Sequence, residues 1–196
     1  AAMAVMAVLT VMAVRARTAA QTQRAQAEDL LEFMLGALRK MDRAVRRVMI
    51  AGGGRLGLRL ARETHGAYQL KIVEPNPQRC EYLASQLPAD VLVLKGDATD
   101  EDLLGDENVH DMDLFLALTS DDEDNIMACL LAKRLGTRRV FALINRKAYA
   151  DLVQGTQIDI ALSPAQTVIG ELLAYVRRGD VEAVYSLRRA AAEALE

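Results

Sequence analysis

Gly52, Gly54 and Gly57 stand at the spacing G-x-G-x-x-G, directly after the apolar run Val48-Met49-Ile50-Ala51 and before a segment whose apolar positions begin at Leu56 and Leu60. Where a strand turns into a helix, that spacing suits phosphate. The first glycine permits a tight turn, the second lets the backbone approach a pyrophosphate, and the third lets the helix pack on the strand. The helix start adds unpaired N–H groups and the positive end of its dipole. Gly53, Arg55 and Leu56 complete the turn, and Arg55 either pairs with a phosphate or stands as a solvated first-turn residue. Glycine is common here, 12 of 196 residues, so the spacing alone is a weak signal. Its context strengthens it: Glu74 ends the next apolar run, where a carboxylate that binds ribose hydroxyls belongs.

Two further loops carry polar residues at strand ends. Asp97, followed by the small Ala98, either caps a helix or makes an adenine-side contact. Thr119 and Ser120 either cap the following helix or face the ligand. Arg79 lies one helical turn beyond Asn76 and could reach a 2′-phosphate, but Glu74 at the strand end should prevail and favour NAD(H), ATP and ADP over NADP(H). The acidic run Asp121-Asp122-Glu123-Asp124 lacks the alternating ligands and central glycine of an EF-hand loop. Favourable interaction with a helix dipole explains it without a metal.

Composition narrows the function. A net charge of −3 gives no broad basis for nucleic-acid binding, which rests on Lys and Arg neutralising phosphates. Cys80 and Cys129 lie far apart among helical neighbours and read as reduced thiols rather than a disulfide or metal site. The two histidines, His65 and His110, form no ligand or triad cluster with other residues, so neither supplies an obvious general acid for a dehydrogenase. The expected catalytic set is therefore empty, as is the metal set.

The elements that position these residues follow from periodicity. Strands are expected over 48–51, 68–74, 91–95, 113–118, 139–144 and 158–162. Helices should follow the glycine turn, open at Asn76-Pro77, form a short acidic piece after Thr99, stop at Gly136, and run from Arg146 to an end at Gly155. Alternation of strand and helix with short links predicts an α/β fold, a Rossmann-like doubly wound parallel sheet. Ahead of it, residues 1–27 open with an apolar leader too short for a spanning helix, which needs roughly 20 residues. Residues 28–45 repeat apolar positions at helical spacing, Leu30, Met34, Leu38, Met41 and Val45, as an amphipathic connector helix. The segment Ile126 to Leu131 is apolar on every side, and a second helix starting at Ser163-Pro164 carries Val168, Ile169, Leu172, Leu173 and Val176. Together they predict self-association.

With these residues in view, the chain resembles the RCK or KTN family of ligand-binding domains that regulate potassium channels and transporters. The stretches that carry the resemblance are RRVMIAGGG at 46–54, GDATD at 96–100, TSDDEDNIM at 119–127, AYADLVQG at 148–155, IDIALSP at 158–164 and SLRR at 186–189. The resemblance implies a nucleotide-binding lobe over 46–162 that takes NAD(H), and in some relatives ATP or ADP. It implies a crossover helix within 163–196, leading toward a smaller C-terminal lobe that the sequence does not contain. It also implies pairing of lobes into a homodimer or larger ring beneath a membrane potassium-transporter subunit. The expected place is then the cytoplasmic side of the inner membrane, with a regulatory role rather than an enzymatic one.

Overall fold

The computed structural model describes residues 2–40, 46–153 and 156–163. Six parallel strands form one sheet: β1 (Arg47–Ala51), β2 (Gln69–Glu74), β3 (Leu92–Lys95), β4 (Leu114–Ala117), β5 (Val140–Leu143) and β6 (Ile160–Leu162), in the order β3-β2-β1-β4-β5-β6. This is the doubly wound Rossmann order, with the chain reversing direction across the sheet between β1 and β4. The helices are α1 (Ala2–Lys40), α2 (Arg55–Thr64), α3 (Pro77–Gln86), α4 (Glu101–Asp106), α5 (Asp122–Leu135) and α6 (Lys147–Val153). A 3₁₀ turn at Val109–Asp111 leads into β4.

The two-residue period of the strands divides the core into two layers. Val48, Ile50, Ile72, Leu116, Phe141 and Leu162 face one side, where α1, α2 and α3 pack. Met49, Ala51, Val73, Phe115, Ala117 and Ala142 face the other, covered by α4, α5 and α6. On that second side the small buried residues Ala128, Cys129 and Ala132 let α5 lie close to β4 and β5.

Helix boundaries follow side-chain chemistry. The Asn76 side chain accepts the Arg79 N–H at 2.9 Å and Pro77 occupies the first turn of α3. Asp121 caps α5 by accepting from the N–H groups of Glu123 and Asp124, and Gly136 ends that helix at φ 114°. At the opposite edge of the sheet, Asp113 accepts the N–H groups of both Arg46 and Arg47 at 2.9 Å, tying the start of β4 to the start of β1.

Helix α1 runs without a break across residues 27 and 28. Its buried positions, Leu30, Leu31, Met34 and Leu38, recur at three and four residues and join the first core layer. An exposed Glu28–Arg59 ion pair at 3.5 Å and a hydrogen bond from the Tyr68 hydroxyl to the Leu38 carbonyl accompany that packing. Further toward the N-terminus Met12 and Val14 are exposed. Among the described residues no helix is long and apolar enough to cross a membrane. Val45, the end signal at Gly155 and the crossover helix expected beyond Ser163 lie outside the described residues.

Candidate functional site

At the carboxyl edge of the sheet, the loops after β1, β2, β3, β4 and β5 converge on a cleft of about 670 Å³. β1 ends in Gly52, whose φ of 101° only glycine adopts readily, and whose N–H bonds the Val73 carbonyl at 2.9 Å. A Cβ on Gly57 would come within 2.2 Å of the Gly52 carbonyl oxygen, so this position brings α2 hard against the turn. Gly54 differs. It is the N-cap of α2, makes no side-chain cap bond, and has no atom within 4 Å of where its Cβ would lie. Gly52 makes the turn and Gly57 the close helix contact that the spacing suggests, while Gly54 leaves open space at the start of α2.

Gly53 is buried beside that opening, and both sides of it are held. Its N–H donates to Glu74 Oε2 at 2.9 Å and its carbonyl accepts from Arg79 Nε at 2.6 Å. Glu74 Oε1 accepts the Asn76 N–H at 3.0 Å. The guanidinium of Arg79 also stacks over the Tyr82 ring, 4.8 Å from its centroid. Beneath these groups the Cys80 thiol donates to the Glu74 carbonyl at 3.2 Å. Burial first, then the Glu74 charge, push that thiol above its usual range, which makes it a poor nucleophile.

The far half of the cleft is set by two buried polar residues on α5. Asn125 is fully buried, and its Oδ1 accepts from the Thr119 N–H and hydroxyl at 2.9 and 2.8 Å. Its Nδ2 donates to the carbonyls of Thr119 and Leu143 at 3.1 and 2.9 Å. Every bonding position of that amide is used, and the loops after β4 and β5 are joined through it. Asp122, 2% exposed, accepts from the Asn145 N–H and side chain and from the Arg146 N–H, fixing the start of α6. Glu123 pairs with Arg146 and accepts from the Tyr149 hydroxyl. The acidic run is therefore a set of caps and loop anchors, and among the described residues no cluster of His, Cys, Asp or Glu is placed to hold a metal.

Of the residues singled out by sequence, Gly52, Gly54, Arg55, Leu56, Glu74, Asp97, Ala98, Thr119 and Ser120 line the cleft. Gly53, Gly57 and Arg79 stand behind it and shape the turn. The cap of α4 is Asp100, so Asp97 is free of that task; it closes a turn by accepting from the N–H and hydroxyl of Thr99, both at 2.8 Å. Thr119 and Ser120 do not cap α5 either, since Asp121 does. Neither histidine lines the cleft. Asp124, also on the wall, has its carboxyl pushed up by burial and then by the charges of Asp121, Asp97 and Glu123.

Sequence reasoning missed five contributors. Asn125 was hidden because its side chain bonds only backbone and Thr119, with no spacing to mark it. Asn145 lines the cleft from a loop that carries no motif. Gln26, Ala27 and Leu30 of α1 reach the cleft from outside the alternating strand–helix unit.

Comparison with known proteins agrees with this geometry. The family model described as the TrkA-N domain matches residues 48–164. The Trk system potassium uptake protein TrkA of Halomonas elongata is 54% identical over 166 residues, 85% of this chain and 36% of that protein. The protein of the same name from Vibrio alginolyticus is 46% identical over 170 residues, 87% of this chain and 37% of its own. The chain thus spans little more than a third of the length of these curated relatives. Among solved structures, the TrkA-N domain of inner membrane protein ybaL from Escherichia coli superposes with a TM-score of 0.59 at 12% identity, covering 67% of this chain and 97% of that one. The GsuK channel bound to NAD gives 0.53 at 20% identity, covering 67% of this chain and 24% of that one. GsuK bound to ADP gives 0.53 at 21%, covering 68% and 35%. At such identities these structures speak to the fold alone. The family match takes in the glycine turn, Glu74, Asp97 and the Thr119 loop together, and with it this chain belongs to the TrkA-N family.

Proposed function

We propose that this chain is an NAD(H)-binding regulatory module of a bacterial Trk-type potassium uptake system, and that it passes nucleotide state to a membrane transporter subunit. One observation carries the binding: the N-terminus of α2 has no side-chain cap and opens at Gly54, close to a Glu74 carboxylate already oriented by the Gly53 and Asn76 N–H groups. The orphan N–H groups suit a diphosphate, and the carboxylate suits the two hydroxyls of an adenosine ribose. Residues 46–162 form the binding lobe, with Arg55 beside the phosphates, Asp97 and Ala98 on the adenine side, and Thr119 and Ser120 toward the second nucleoside. The relatives named as potassium uptake proteins and the GsuK structures with NAD and ADP support this reading.

A ligand regulates only if it binds two arrangements of the lobes unequally. The lobes are proposed to pair as a homodimer or larger ring on the cytoplasmic side of the inner membrane. Met127 and Leu152 are exposed on α5 and α6, with Ile126, Leu130 and Leu131 half-buried beside them, which supports a covered face there. Sedimentation should show association at tens of micromolar, the order of a weak interface; a monomer throughout removes the assembly.

A thermal-shift panel of NAD, NADH, ADP, ATP and NADPH tests the ligand. At about 100 times its dissociation constant, a true ligand adds about 2.7 kcal/mol of stability. No stabilisation by any of the five overturns the proposal. Steady loss of NADH absorbance with candidate carbonyl substrates would replace the regulatory reading with an oxidoreductase.

A further inference from the structure

We infer that helix α1 is a specificity element of the cleft: Gln26 and Ala27 wall the half that a second nucleoside would enter, so α1 distinguishes a dinucleotide from a mononucleotide. The inference rests on the nucleotide reading above and adds what that reading leaves open, namely how NAD(H) and ADP differ once bound.

The cleft follows the strand order. From one end it passes Asp97 and Ala98 after β3, Glu74 after β2, the glycine turn after β1, Thr119 and Ser120 after β4, and Asn145 after β5. Adjacent strands lie about 4.8 Å apart, so five strand ends span about 19 Å. The phosphate-binding turn sits in the middle of that length. An adenosine diphosphate held by Glu74 and the turn fills the side toward β3 and stops there. Only a ligand with a second nucleoside beyond the diphosphate enters the side toward β5.

That second side has a wall the Rossmann unit does not supply. On the sheet face in question, α3 packs along β2 and β3, α1 lies against α2, and α1 residues Leu30, Leu31, Met34 and Leu38 share one core layer with Leu116 and Leu118 at the end of β4, Phe141 and Leu143 of β5 and Leu162 of β6. Leu30 contributes both to this core layer and to the cavity lining, together with Leu118 and Leu143. One turn earlier, Ala27 is exposed and Gln26 half-buried at the cavity edge. The Gln26 amide offers a donor and an acceptor, which suits a ribose hydroxyl or the amide-bearing base of a nicotinamide nucleoside. The surface that α1 presents to the ligand is continuous with the surface by which it docks on the lobe. A dinucleotide that touches it therefore stabilises the docked helix, and by linkage the docked helix strengthens dinucleotide binding by the same factor. ADP has no such coupling.

The test uses the full chain, with isothermal titration of NADH and of ADP on wild type, Ala27→Trp and Gln26→Ala. The tryptophan projects from an exposed helical position and occupies the second half of the cleft. It should weaken NADH by about tenfold or more while changing ADP by less than about twofold. Gln26→Ala adds no bulk and should weaken NADH by about threefold, again sparing ADP. Amide exchange in peptides covering residues 20–31 should slow with NADH and not with ADP. Equal losses for both ligands, or no loss for either, overturn the role of α1 while leaving nucleotide binding in place, as does wild type that takes ADP but not NADH. Wild type that binds neither overturns the nucleotide reading itself.

Discussion

Glu74 Oε2 accepts the N–H of Gly53 at 2.9 Å, so the carboxylate proposed to hold a ribose also fixes the turn proposed to hold the phosphates. Each carboxylate oxygen has a second lone-pair direction left for a ribose hydroxyl. A 2′-phosphate would meet this anion instead. At 4 Å and an effective dielectric of about 20 the repulsion is roughly 4 kcal/mol, an upper value near water. Arg79 offers limited relief, since its Nε is engaged with the Gly53 carbonyl. Wild type should therefore prefer NADH to NADPH in paired titrations. Glu74→Ala should narrow that ratio and, by stranding the buried Gly53 N–H, lower apo stability by about 1–3 kcal/mol. An unchanged ratio removes Glu74 from the ribose site.

The glycines of the turn should separate fold from binding. Gly57→Ala places a methyl 2.2 Å from the Gly52 carbonyl oxygen, a backbone atom that cannot swing away, and should destabilise the apo protein by about 1–3 kcal/mol. Gly54→Ala meets no neighbour and should leave the apo melting temperature nearly unchanged. Its methyl would stand where the diphosphate is proposed to approach, so most of the ligand-induced thermal shift should vanish. Equal nucleotide stabilisation of wild type and Gly54→Ala would show that the turn does not hold phosphate.

Asn125→Ala leaves the Thr119 N–H and the carbonyls of Thr119 and Leu143 without their side-chain partner. At about 1–3 kcal/mol for each buried group left unpaired, with some regained from water, a loss of about 2–4 kcal/mol is expected in denaturant unfolding. Asn125→Asp should lose comparable stability, because an acceptor then faces two carbonyl oxygens. A loss under about 0.5 kcal/mol for Asn125→Ala, the range of an ordinary surface change, would show that the β4 and β5 loops hold without it.

Asp113 gives a pH signature. Burial alone would push its carboxyl up, but the N–H groups of Arg46 and Arg47 and the charges of Arg47 and Arg138 outweigh it and hold the group below the ordinary carboxylate range. Its contribution is present above the unfolded value, about 3.9, and is lost as pH falls through the lower folded value. Asp113→Asn should cost about 1–3 kcal/mol at neutral pH and flatten the decline of stability below about pH 4. Parallel acid limbs in the two proteins would show that this carboxylate does not set them.

What was legible in the sequence was what repeats or punctuates. Alternating strands, the caps at Asn76 and Gly136, and the glycine spacing all leave local marks, and the sheet has the expected strands in the Rossmann order. The cleft-lining positions Glu74, Asp97 and Thr119 were legible because strand ends must meet along one sheet edge. Asp97 was harder to assign, because an Asx turn and a helix cap draw on the same residue types, and the cap fell to Asp100 three positions later. The acidic run marked Asp122 as a helix-start residue but not as the anchor of the loop after β5, and Asn125's bond to the Leu143 carbonyl 18 residues away left no mark at all. The place of α1 was equally hidden: its period gives an apolar face, but not which strands that face covers.

The packing of α1 separates the span of the family match from the unit of folding. The family match begins at residue 48, after this helix, yet Leu30, Leu31, Met34 and Leu38 supply part of one core layer. A fragment cut at residue 48 would lose the α1 side chains that share a core layer with Leu116, Phe141 and Leu162. Each apolar side chain forgoes about 1.5–3 kcal/mol of burial when fully uncovered, and exposed apolar patches drive aggregation. Expression boundaries for this lobe are therefore better placed upstream of Glu28 than at the glycine-bearing strand, because α1 supplies part of the core layer that the strands present.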